Sequence, residues 1–105
     1  MLQQLKNLFG IGRPAVPFKE LVANGAQIID VRTKPEYHTG HIAGSVNIPL
    51  QELGASLSRI SKDKPVITCC ASGMRSASAK SILRSQGFSE VHNGGGWIGL
   101  QNKIS

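Results

Sequence analysis

Thr68-Cys69-Cys70-Ala71-Ser72-Gly73-Met74-Arg75-Ser76 is the stretch from which the fold can be worked outward. The apolar run Val66-Ile67-Thr68-Cys69 enters it and reads as a short buried strand. A helical pattern leaves it, with Ala79, Ile82 and Leu83 at i, i+3, i+4 spacing. Between strand and helix lies a tight loop that opens on a thiol and closes on a guanidinium. Such a loop turns its backbone N–H groups, and the positive end of the helix dipole, toward whatever occupies it. A thiol at that focus loses its proton easily, because the donors and a nearby cation stabilise the thiolate. Gly73 permits the left-handed backbone needed to curl the loop into a nest. The pattern predicts an anion-holding cradle with a nucleophile, Cys70, at its base.

The segment Cys70-x-x-Gly73-x-Arg75-Ser76 resembles the active-site loop of the rhodanese family, sulfurtransferases that carry sulfur as a cysteine persulfide. Three further stretches share the resemblance, which covers most of residues 16–100. Ile29-Asp30-Val31-Arg32 is similar to the family's first strand and its Asp-Val-Arg ending. Glu36-Tyr37-x-x-Gly40-His41-Ile42-x-Gly44-Ser45-x-Asn47-Ile48-Pro49 resembles the family's longest signature, with Ser45 where Ala is commoner. Gly94-Gly95-x-Trp97 looks like the glycine-rich loop and tryptophan that close the domain.

The resemblance implies a persulfide on Cys70, with Ala71, Ser72, Gly73, Met74, Arg75 and Ser76 as the substrate-binding cradle. It implies thiosulfate or another sulfane donor, and a thiol, cyanide or protein as acceptor, with no cofactor. Arg75 either holds the donor anion or braces the loop through a carboxylate. Asp30 and Arg32 are expected at the rim of the site in a structural role, because residues at strand ends commonly tie neighbouring loops together. His41 belongs by the same comparison to a structural turn. His38, His41 and two cysteines do not supply an evident metal-ligand set.

Three other readings stand beside sulfur transfer. The first is an arsenate reductase or dual-specificity phosphatase of the same fold. Those related loops are one residue longer and roomier for a tetrahedral oxyanion, whereas four residues separate Cys70 from Arg75 here. The second is a rhodanese-like interaction module without catalysis, a type that commonly lacks the cysteine present here. The third is a Cys69–Cys70 redox switch, which would strain the peptide between the two residues. As a plain strand residue, Cys69 is a small apolar side chain.

Composition bounds the function further. The chain has 105 residues, 40% apolar and 17% charged, which suits one globular domain. No apolar run approaches the roughly 20 residues of a membrane span. The formal charge is +6, but the basic residues are scattered and aromatics make up only 5%. A nucleic-acid surface calls for a basic stripe with interleaved aromatics, so the charge reads instead as a basic surface that draws small anions. Two adjacent cysteines are not a disulfide framework and suit a reducing compartment. The first residues, Met1 to Phe9, lack a continuous apolar core and a cleavage site, so the expected address is cytoplasmic. Nothing in the sequence sets an oligomeric state.

In chain order, Leu2, Leu5, Leu8 and Phe9 recur at helical spacing before Gly10-Ile11-Gly12 interrupts them. Residues 1–13 therefore read either as a short amphipathic helix or as a partly ordered leader. Residues 14–105 read as a single domain. Phe18, Leu21 and Val22 give a short helix after Pro17, stopped by Asn24-Gly25. Ala26 to Val31 is a buried strand, and Thr33-x-x-Glu36 has capping-box spacing for a helical turn. Val46 to Ile48 is a second strand. Leu50, Leu53, Leu57 and Ile60 give an amphipathic helix. After the cradle, a helix from Ser76 stops at Gly87, Phe88 and Val91 return to the core, and Gly94-Gly95-Gly96 makes a tight turn into a closing helix. Short apolar runs alternating with helical stripes predict an α/β domain, a small parallel sheet flanked by helices on both faces. The site then lies beyond the carboxyl ends of the strands.

Overall fold

The computed structural model describes residues 15–105; the segment 1–13, read as a leader or amphipathic helix, lies outside the described residues. Elements alternate as the sequence pattern predicts: α1 (Phe18–Ala23), β1 (Gln27–Asp30), α2 (Lys34–His38), β2 (Val46–Asn47), α3 (Leu50–Leu53), β3 (Val66–Cys70), α4 (Met74–Ser85), β4 (Val91–Gly96) and α5 (Trp97–Ile104). The four strands form one sheet in the order β2-β1-β3-β4, every pairing parallel. β3, which delivers the cradle, is therefore central and buried along its whole length.

A parallel sheet covered on both faces needs apolar side chains pointing both ways. Alternation along the strands divides them between two cores. Ile29, Val31, Val66 and Cys70 join Leu53, Ile60, Ala79, Leu83 and Phe88 on the α3–α4 side. Ile28, Ile67 and Cys69 join Phe18, Ile42 and Leu100 on the α1–α5 side. The adjacent cysteines thus belong to different layers.

Local chemistry explains most of the boundaries. Pro17 caps α1, and Gly25, at φ +99°, turns the chain into β1. The Thr33–Glu36 capping box forms as its spacing predicts, with Pro35 in the first turn of α2. Three expectations change. The stripe Leu50–Ile60 is not one helix but α3 followed by a 3-10 turn at Leu57–Arg59, with Gly54 ending α3. Helix α4 begins at Met74 instead of Ser76, because Gly73 at φ +109° reverses the chain at once.

The third change concerns Gly94-Gly95-Gly96, which is not a turn. These glycines remain in β4 as a bulge: Thr68 pairs with Asn93, but Cys70 pairs with Gly96, so β4 carries one extra residue across that interval. Gly95 adopts φ +79° within it. Gly94 is required for a different reason, namely space. A methyl group there would lie 2.8 Å from Leu100 Cδ2 and the Thr68 carbonyl oxygen, and 2.9 Å from Ile67 Cγ2. Two of those neighbours are core side chains and one is backbone, so none can yield cheaply. Gly94→Ala is expected to lower unfolding free energy by about 1–3 kcal/mol, the usual cost of overpacking, as measured by urea denaturation with a native-like slope.

Candidate active site

The strand-to-helix turn from Cys70 to Ser76 sits at the carboxyl end of β3, as anticipated for a parallel sheet. Cys70 is only 1% exposed, which places its sulfur on the floor of the loop. Two N–H groups donate to Sγ: Gly73 at 3.0 Å and Ser76 at 3.4 Å. Burial pushes the Cys70 thiol up, but the Ser76 and Gly73 N–H groups outweigh it and bring the thiol below its ordinary value. Ala71, Ser72 and Met74 are exposed around this floor, Met74 at 81%. Gly96 packs closely against the start of the loop; a Cβ there would come within 2.8 Å of the Ala71 carbonyl oxygen.

Cys69, one residue earlier, is in the contrary state. Burial first, and then the Asp30 charge, push its thiol up to about 12. It makes no disulfide with Cys70 and remains a neutral apolar filler on the other face of the sheet.

Arg75 does not point its fork at the cradle floor. Its Nη1 and Nη2 donate to Glu36 Oε1 and Oε2 at 2.7 and 2.9 Å, a two-pronged pair. The same Oε1 accepts from the Thr33 N–H and hydroxyl, both at 3.0 Å. One carboxylate therefore caps α2 and anchors the first turn of α4. The Arg75 guanidinium and the Thr33 N–H hold Glu36 well below the usual carboxylate range, at about 2.

Asp30 and Arg32, expected at the rim in a structural role, are 0% and 3% exposed. Arg32 Nη2 donates to Asp30 Oδ2 at 2.7 Å and to the Gly40 carbonyl at 2.7 Å, while Nη1 donates to the Glu36 carbonyl at 3.2 Å. Trp97 stacks over the guanidinium, 4.8 Å from its carbon to the ring centroid. Every buried side-chain nitrogen and oxygen among the described residues has a partner. Among these residues no three His, Cys, Asp or Glu side chains gather as a metal site, and no helix is long and apolar enough to cross a membrane.

The sequence pattern singles out Cys70, the loop to Ser76, Arg75, Asp30 and Arg32, but it does not pair Asp30 with Arg32 as the structure does. It did not find the use of the Glu36 carboxylate on Arg75, because the capping box already accounted for that side chain. Nor did it single out Asn93 or Thr68, which hold Ser76 from two sides.

The family model for the rhodanese-like domain matches residues 15–103. This chain belongs to the rhodanese-like domain family. Thiosulfate sulfurtransferase GlpE of Ectopseudomonas mendocina is 37% identical over 75 residues, covering 71% of this chain and 69% of that protein. Uncharacterized protein YqhL of Bacillus subtilis is 44% identical over 68 residues, covering 65% of this chain, and the match spans about half (54%) of that relative. Among solved structures, the human single-domain sulfurtransferase superposes with a TM-score of 0.69 at 27% identity, over 87% of this chain and all (100%) of that one. The rhodanese-like domain here thus shares the α/β fold of sulfurtransferases.

The Glu36 anchor has a defined pH signature. A carboxylate whose folded pKa is depressed contributes stability that is complete above its unfolded value and is lost as pH falls through its folded value. For this rhodanese-like domain, the stability difference between the unmodified chain and Glu36→Gln should be constant from pH 7 to about 5 and shrink toward pH 2. Urea melts at each pH would measure it; a difference that vanishes near pH 6 would show that the anchor does not persist in solution.

Proposed function

We propose that this chain is a thiosulfate sulfurtransferase that carries a sulfane sulfur on Cys70. The observation behind this reading is the convergence of the Gly73 and Ser76 N–H groups on the Cys70 sulfur at the floor of the loop; the four residues between Cys70 and Arg75, one fewer than in the related phosphatase loops, favour sulfur over a tetrahedral oxyanion. In the first step the Cys70 thiolate attacks the outer sulfur of thiosulfate. The new S–S bond leaves Cys70 as a persulfide anion, and the electron pair of the broken bond departs with sulfite. In the second step a nucleophilic acceptor, cyanide or a thiolate, attacks the outer sulfur and the electron pair returns to Cys70.

Depth gives the floor position a purpose. Sγ itself is almost closed to solvent, whereas the added sulfur stands about 2 Å further toward the mouth. An acceptor then meets the transferable sulfur before it meets Sγ. The cradle of Ala71, Ser72, Gly73, Met74, Arg75 and Ser76 surrounds that outer atom, and its N–H groups stabilise the negative charge it carries. Arg75, committed to Glu36 by both prongs, acts as a brace that adds a fixed field; the donor anion is not gripped by its fork. Two free thiols suit a reducing compartment such as the cytoplasm.

Cys70→Ser should abolish thiosulfate-to-cyanide transfer, while Cys69→Ser retains most of it, read as thiocyanate formation. The reverse order would move the reactive sulfur to Cys69. Mass spectrometry after thiosulfate treatment should show one added sulfur, on Cys70.

The same preparation should not hydrolyse an aryl phosphate under conditions in which it forms the persulfide. Aryl phosphate turnover that disappears in Cys70→Ser would replace the sulfurtransferase reading with the phosphatase one. Absence of both activities with an intact fold would favour an interaction module.

A further inference from the structure

Asn93 lies at the bulge of β4, outside every motif considered so far. Its Oδ1 accepts two hydrogen bonds, from the Ser76 hydroxyl at 2.5 Å and from the Gly95 N–H at 2.8 Å. A backbone N–H can only donate, so the amide must present its oxygen to both groups. The Ser76 hydroxyl has one proton; the Gly73 carbonyl, at 3.0 Å, is its more distant acceptor. On its other side, the Ser76 carbonyl accepts from the Thr68 hydroxyl at 2.8 Å. Ser76 is thereby held at hydroxyl and carbonyl at once, with its own N–H directed at Cys70 Sγ.

We infer that Asn93 is a positioning residue, which acts through the Ser76 hydroxyl to fix the first turn of α4 against the glycine end of β4 and so aims the Ser76 N–H at Cys70. This rests on Cys70 as the reactive sulfur. The Ser76 bond to Sγ is the longer of the two, 3.4 Å against 3.0 Å for Gly73, and a long bond is the first to be lost on a small displacement. The bulge makes the bridge reachable: Asn93 pairs with Thr68, and the extra residue beyond it brings the Gly95 N–H back toward Oδ1.

Other groups that influence Cys70 are distinguishable from Asn93. Arg75 on α4 interacts with the Cys70 charge and is paired with Glu36 from α2. β3 contributes the neutral Cys69, and β1 contributes Asp30, paired with Arg32. On β4, His92 is paired with Glu90. Asn93 carries no charge, so its effect must pass through geometry.

The test uses the full chain with Cys69→Ser and follows iodoacetamide alkylation of Cys70 against pH. Asn93→Ala should raise the midpoint by about half a unit, roughly threefold less thiolate at a fixed pH below it. Ser76→Ala should do the same, and the double variant should shift no further than either single one. Asn93→Ser, which keeps an oxygen at shorter reach, should fall between and serves if Asn93→Ala does not fold. An unchanged midpoint in Asn93→Ala or Asn93→Ser overturns the inference. So do single shifts that add in full in the double variant, because Asn93 would then act independently of Ser76. Thiocyanate formation is measured in parallel on the unmodified chain. Its absence would defeat the sulfurtransferase reading while the alkylation midpoints still decide the role of Asn93.

Discussion

The ion pair between Asp30 and Arg32 has almost no access to solvent, and much of the site depends on how that cost is met. A guanidinium taken out of water must find acceptors for its remaining donors. Arg32 finds them in the carbonyls of Glu36 and Gly40. Those bonds tie down α2 and the turn after it. Asn47 adds to the tie by donating from Nδ2 to the Asp30 and Arg32 carbonyls at 3.0 and 2.9 Å. With α2 fixed, the Glu36 carboxylate stands where it can hold Arg75, and through Arg75 the first turn of α4. Desolvation beneath the sheet end is thus converted into position at the cradle. The pair need not add net stability to have this effect; a buried pair can specify geometry at little net gain.

Cys69 and Cys70 show how far position alone separates two identical side chains. They are neighbours on one strand, so the pleat sends them to opposite faces. Cys69 meets burial and the Asp30 carboxylate, which keep its thiol protonated. Cys70 is also buried, but two N–H groups accompany the burial and reverse its effect. Charge is stabilised in the second case by dipoles already oriented by the fold, which need no reorganisation when a thiolate or persulfide forms.

The glycines around the site serve three distinct needs. Gly73 supplies a left-handed turn that starts α4 at Met74, two residues ahead of the expected start at Ser76. Gly94 and Gly96 supply space, where a methyl group would strike the core or the Ala71 carbonyl. Gly95 supplies the backbone reversal of the bulge that brings its own N–H to Asn93. In sequence the last three are simply adjacent glycines, and a turn is the default reading of such a run. Only pairing with β3 shows them to be a strand, because ladder register is a property of two segments and not of one.

By itself, the sequence determined the alternation of strands and helices, the parallel sheet with helices on both faces, and the placement of Cys70 at the carboxyl end of a buried strand; the strand's central position came from the sheet order. The first three features follow from local periodicity and from turn and capping residues, each contained in a few consecutive positions. It also determined the Thr33–Glu36 capping box, since both partners lie within one turn. Tertiary structure decided which partner each polar group takes across long separations: Glu36 with Arg75, Asn93 with Ser76, Thr68 with the Ser76 carbonyl. It decided as well that Asp30 and Arg32 are buried, and that two of the six cradle residues, Gly73 and Ser76, make the hydrogen bonds to sulfur. The reason is physical. A side chain's local pattern states what it can donate or accept, but which acceptor comes within about 3 Å depends on how separate elements pack, and that packing is settled by the whole core at once.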